Sequence, residues 1–258
     1  MYETLAVENE GPIGRITLNR PDKLNPLSAQ TLAELAAAAR RFDERPDVKV
    51  VIVGGAGRGF SAGADLASFA ALESSALRDA ADLGRQMAEA IESMRAIAIA
   101  AIQGWCVGGG LVLAAACDLR VAAADARFSI PEVDLGIPLA WGGIPRLVRE
   151  IGPALTKELV LTCRPFDAAE ARACGFLNRV VAAGELEGTV RELADSLSTK
   201  ASLTLFATKR HVNAVTEQMV GTMRAWSDAD SLVTALADPD CALVRSAYLA
   251  ARGQTKKR

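Results

Sequence analysis

The stretch QGWCVGGGLVLAAACDL, from Gln103 to Leu119, constrains this chain more than any other, because three glycines run straight into small apolar residues. A helix that opens at Gly108–Gly110 and is built of Leu, Val and Ala has no polar face, so it must be buried on every side. Glycine at its head permits positive φ and lets another molecule approach the main chain. The first N–H groups of such a helix have no partner within it, and its dipole adds positive charge there. The stretch reads as a place where a negatively charged oxygen can be held. A tight turn before a core helix explains the glycines equally well, so other stretches must decide.

Half of the 258 residues are apolar and the formal charge is −2, enough for one large core and too evenly mixed for a broad field toward nucleic acid or membrane. Lys256, Lys257 and Arg258 form the one basic cluster, a solvated tail. Five cysteines without a CxxC pair read as reduced core thiols of a cytoplasmic protein. MYETLAVENE lacks the regions of a signal peptide, and no apolar run approaches the ~20 residues a membrane helix needs. The single histidine, His211, sits among basic residues and reads as a helix-surface group.

The opening reads as two strands near Tyr2–Glu8 and Arg15–Asn19 about a turn at Gly11–Pro12, and short apolar, β-branched runs predict buried strands at Val48–Val53 and in IAIAAIQG, the latter running directly into the glycine turn. Ser28 caps a helix that Pro46 stops, and a second helix spans about Ser75 to Met94. LRVAA and RFSI are strand-like, and a Gly/Pro-dense loop, PEVDLGIPLAWGGIPRL, follows. Helices are expected at Ile144–Ile151, Pro153–Leu161 and Ala168–Ala173, with a strand at Asn178–Val181. Strand-loop-helix units in this order argue for an α/β core over residues 1–195. Residues 196–258 read as helices without a sheet of their own, which must bury their apolar faces on the core or on another subunit.

The loop GGAGRGFSAGADL admits three readings. GRGFSA fits the dinucleotide fingerprint G-x-G-x-x-A, yet that turn belongs after a first strand and opens a helix at once. GFSAG fits the nucleophile elbow G-x-S-x-G, with Ser61, Asp134 and His211 in the required chain order. GGAGRG separates Ser61 from the preceding strand, however, and no HGGG-type sequence supplies the second oxyanion donor. The third reading pairs FSAGADL with QGWCVGGG: each follows a buried strand and offers a backbone N–H at a turn, and two such donors facing one another hold a single oxygen.

Taken together, RPDKLNPLS, GFSAGADL and QGWCVGGGLVLAAACDLRVAAADARFSIPEVDLGI, followed by a helical C-terminal part, closely resemble the crotonase superfamily of enoyl-CoA hydratases and isomerases. The resemblance implies a spiral of ββα units, assembled as trimers or dimers of trimers, acting on acyl-CoA thioesters. Coenzyme A then arrives with the substrate, with no separate cofactor and no metal. By motif position, Ala64 and Gly109 match the two residues whose N–H groups polarise the thioester carbonyl. Lys23, Leu24, Ala62, Asp65 and Leu66 match positions along the coenzyme A moiety. Tyr248 matches an aromatic position, and the cation found a few residues later in relatives is Ala251 here, beside Arg252.

Hydratases of that family hold one water between two glutamates, the first three residues beyond the middle glycine and the second in the PE motif. Those positions are Val112 and Glu132 here. A valine neither orients water nor gives a proton, whereas a lone Glu132 suits the isomerases, in which this glutamate carries a proton from C2 to C4. Apolar neighbours such as Ile130, Val133 and Leu135 would raise its pKa. If PEVDL is extended, Asp134 shares a face with Glu132 and offers a second acid. Trp141 and Trp105 either line the acyl channel or fill the core. Isomerase, hydratase with Asp134, and acyl-CoA binder with little turnover all stay open, the first preferred.

Overall fold

The computed structural model describes residues 2–66, 74–225 and 227–255. The chain opens on a hairpin, β1 (Leu5–Glu10) and β2 (Ile13–Leu18), and enters α1 (Ala29–Asp43). Ser28 caps that helix by accepting from Thr31 N at 3.2 Å, as the sequence suggests. Strand β3 (Val50–Gly55) leads through the glycine-rich loop to α2 (Ser74–Ser93). Then come β4 (Ile97–Ile102), β5 (Trp105–Val107), α3 (Gly109–Ala116), β6 (Leu119–Ala123) and β7 (Arg127–Ser129). The remainder is α4 (Gly143–Thr162), β8 (Phe166–Asp167), α5 (Ala168–Ala173), β9 (Arg179–Val181), α6 (Leu186–Ser198), α7 (Ser202–Met219), α8 (Asp228–Ala237) and α9 (Pro239–Thr255).

Six strands form one sheet in the order β1-β2-β3-β4-β6-β9, antiparallel only between β1 and β2. Its central strands are VVIVGG and IAIAAI, buried on both faces, and so apolar at every residue rather than at alternate ones. Period two sorts their side chains. Val51, Val53, Ala98 and Ala100 face the main core beside α1, α2 and α3, while Val50, Ile52, Ile99 and Val121 pack on Leu186, Val190 and Ala194 of α6.

A second sheet, β5-β7-β8, departs from the sequence reading. The expected strand does not run directly into the glycine turn: Gly104, at φ 54°, ends β4, and Trp105–Val107 start afresh beside Arg127–Ser129. Three residues are too few for a periodicity to show. The helices expected at Ile144–Ile151 and Pro153–Leu161 abut within α4, whose helical path breaks at Gly152 (φ 76°, ψ 163°).

Helix α7 is pinned by Lys209, whose Nζ lies 2.8 Å from Asp118 Oδ2 and donates to Ala96 O at 3.0 Å. Its outer face leaves Leu203, Val212, Val215 and Met219 exposed. All five cysteines are free thiols. Among the described residues, no helix is long and apolar enough to cross a membrane.

Candidate active site

The glycine-rich loop is shaped by Asn25, a buried residue in left-handed conformation (φ 53°) that sequence reading passed over. Its Nδ2 donates to the carbonyls of Ala56 (2.9 Å), Gly59 (2.9 Å) and Phe60 (3.3 Å), while Oδ1 accepts from Arg20 N at 2.9 Å. The Asn-Pro pair in RPDKLNPLS was the available signal, since Asn tolerates this region and bonds to nearby main chain. Ser61 is fully buried, donates to Asn25 O at 2.8 Å, accepts from Gly63 N at 3.2 Å, and bridges to Cys106. His211 and Asp134 are exposed. Ser61 therefore sits in no nucleophile elbow, and GRGFSA opens no helix of the dinucleotide kind.

Past Ser61 the loop forms a single parallel bridge between Leu27 and Ala64. Leu27 N donates to Gly63 O (2.8 Å) and Asp65 N to Leu27 O (3.0 Å), so the residue between them turns its own N–H to the opposite side. Gly109 opens α3 behind Gly108, whose φ of 48° and ψ of −113° place it outside the regions comfortable for other residues. Among the described residues, no acceptor is found for the N–H of Ala64 or of Gly109. The two loops touch, since a methyl on Gly63 would lie 3.5 Å from Gly109 N. Every residue of α3 is buried, which fixes the direction of its dipole.

Ala64 and Gly109 line one cavity of about 30 Å³ together with Glu132, Val112 and Trp141. Glu132 is 7 % exposed and its Oε2 has no hydrogen-bond partner among the described residues. Burial pushes its carboxyl up to about 7, against a smaller opposing pull from a hydrogen bond with its own backbone N–H. Such a group takes and returns protons near neutrality. Val112, 1 % exposed, faces the same space from the first turn of α3.

The PEVDL segment is not extended. Leu135 N donates to Pro131 O (3.0 Å) and Ile137 N to Glu132 O (2.9 Å), a compact turn closed by Gly136 at φ 63°. Glu132 thus points inward while Asp134 is exposed and absent from the cavity wall, because the two-residue periodicity holds only for an extended chain.

The remaining candidates divide. Leu66 lines the cavity; Trp141 lines it too, whereas Trp105 is 43 % exposed on β5. Leu24 and Ala62 meet through the Ala62 N to Leu24 O bond of 2.7 Å, Lys23 is exposed at the end of a 3-10 turn, and Asp65 pairs with Arg20 at 3.2 Å. Tyr248 packs on the core and Ala251 is exposed; the side chain of Arg252, and Lys256, Lys257 and Arg258, lie outside the described residues. Leu232 and Leu236 of α8 close the cavity, a role that nothing beyond helical apolar spacing announces in the sequence. The whole arrangement puts two main-chain donors and one poised carboxyl around a small apolar space, which suits stabilising an enolate while a proton moves.

Known proteins resemble this chain over most of its length. A probable enoyl-CoA hydratase of Mycobacterium bovis is 39% identical over 218 residues, 84% of this chain and 83% of that protein. A peroxisomal Delta(3,5)-Delta(2,4)-dienoyl-CoA isomerase of Arabidopsis thaliana is 35% identical over 248 residues, covering 88% and 89% of the two chains. The crystal structure of an enoyl-CoA hydratase/isomerase from Xanthobacter autotrophicus Py2 superposes with a TM-score of 0.89 at 28% identity, covering 98% of each chain. The model of the enoyl-CoA hydratase/isomerase family matches residues 8–244, and this chain is an enzyme of that family, within the crotonase superfamily.

Proposed function

We propose that this enzyme shifts the double bond of a 3-enoyl-CoA thioester into conjugation, in the manner of a Δ3,Δ2-enoyl-CoA isomerase. The N–H groups of Ala64 and Gly109 hold the thioester oxygen. The Glu132 carboxylate removes a proton from C2, the charge spreads as a dienolate onto that oxygen, and the protonated carboxyl returns the proton at C4. The double bond moves from C3–C4 to C2–C3, and the proton count is unchanged. Donors aimed at the oxygen accelerate this because they bind it more tightly once it carries charge.

One observation carries the choice among reactions: Glu132 is the single carboxylate among the described residues lining the cavity, with Val112 where hydration calls for a second. Hydration remains the competing reading, favoured by the names of relatives such as that from Mycobacterium bovis. Lys23, Leu24, Ala62, Asp65 and Leu66 are assigned to the coenzyme A side, supported by their place along the loop that delivers Ala64. The exposed apolar face of α7 supports assembly as a homotrimer or homohexamer.

A 3-enoyl-CoA and crotonyl-CoA offered separately to wild type and Glu132→Gln distinguish these readings. Wild type converts the first faster than it hydrates the second, and the variant loses roughly 10²–10⁴-fold of the isomerisation. Equal hydration of crotonyl-CoA by both proteins would overturn Glu132 as the essential base.

A further inference from the structure

Trp141 stands in a place that other residues have been cleared to make. Its φ is 62°, the left-handed region that a side chain this large rarely occupies. Arg146 holds the corner by donating from Nη1 to Trp141 O (3.3 Å) and Gly142 O (3.1 Å), and Asp228 Oδ2 accepts from Gly142 N at 2.9 Å. The indole lies between two positions without a β-carbon. A methyl on Gly84 of α2 would come 2.0 Å from its Cδ2, and a methyl on Gly109 would come 2.2 Å from its Cζ3. Glycine inside a helix such as α2 is a standing cost against alanine, and here it admits the ring.

The ring therefore rests on the main chain of Gly109, one of the two donors assigned to the thioester oxygen, and walls the cavity containing Glu132. That cavity measures about 30 Å³, room for about two water-sized groups. We propose that Trp141 ends the acyl pocket and restricts this enzyme to short acyl groups, about four carbons long, with C3 and C4 filling the space beside Glu132. The proposal rests on the acyl-thioester reading above and adds the chain length. The braced left-handed corner keeps the indole from swinging aside for a longer chain.

Binding of butanoyl-CoA and decanoyl-CoA, followed by calorimetry with wild type, Trp141→Ala and Trp141→Phe, tests it without requiring turnover. Wild type should bind butanoyl-CoA at least about tenfold more tightly than decanoyl-CoA, and Trp141→Ala should erase or reverse that ratio. Trp141→Phe retains an aromatic filler, so it should move the ratio by about threefold and carries the test if the alanine variant does not fold. Decanoyl-CoA bound as well as butanoyl-CoA by wild type, or a ratio unchanged in both variants, overturns the proposal. Short-chain preference without turnover of any 3-enoyl-CoA would sink the isomerase reading and leave the pocket assignment standing; isomerisation without chain-length preference does the reverse.

Discussion

Glu132 Oε1 lies so close to Gly108 that a methyl placed on that glycine would sit 2.2 Å from it. The residue that starts the helix turn thus also makes room for the carboxyl, and the two needs coincide at one position. Gly108→Ala meets both obstacles, the φ of 48° and the carboxylate. The expected result is a fall of roughly 10²–10³-fold in kcat, as when an oxyanion donor or its neighbour is displaced, with far-UV circular dichroism retained. Unchanged kcat in a folded variant would show that Glu132 does not depend on this contact.

The buried carboxyl ties catalysis to pH. As the proposed base, Glu132 must be ionised, so kcat/KM should rise with pH through about 7 and level above it. Stability should run the other way. A carboxyl whose folded pKa is raised leaves the fold unpenalised while it is protonated in both states, below its ordinary value of 4.5, and costs stability as pH climbs from there through about 7. At pH 8 to 9 that cost is roughly 3 kcal/mol. Glu132→Gln removes the cost, so urea melts should find it more stable than wild type at pH 8 and equal at pH 4. A variant less stable than wild type at pH 8 would contradict this.

Asn25→Ala strips the loop of its organiser, leaving the carbonyls of Ala56, Gly59 and Phe60 without that donor and placing alanine at φ 53°. Each buried polar group so abandoned costs about 1–3 kcal/mol, and a total loss of about 3–5 kcal/mol is expected in denaturant titrations. Activity should fall with it, because the same loop delivers Ala64. A loss under about 1 kcal/mol would mean that the loop holds its shape by other means.

What could be read before the structure follows from length and chemistry. VVIV and IAIAAI announce buried strands because every residue is apolar, and Ser28 marks a helix start by a rule local to a few residues. The short strands β5 and β8 escaped because pairing between distant segments, not their own two or three residues, creates them. PEVDL misled for a related reason: its residues suit an extended chain, and Pro131 and Gly136 bend it into a turn that parts Glu132 from Asp134. Within the candidate site, Ala64, Gly109, Glu132 and Val112 were legible through ordered motifs. Leu232 and Leu236 were not, because a wall supplied from a hundred residues downstream looks like any other helix face.

The parallel bridge at Leu27–Ala64 leaves a mark on how such a chain can change. Because the residue between the two bonded positions must face away whatever its side chain, the donor proposed at Ala64 is inherited with the strand pairing and survives every side chain there but proline, which has no N–H to offer. In the proposed reaction, variation is thereby channelled to the carboxyl half, where a change at 112 alters what becomes of the enolate and a change at 132 alters the base that forms it, while the donors to its oxygen stay in place.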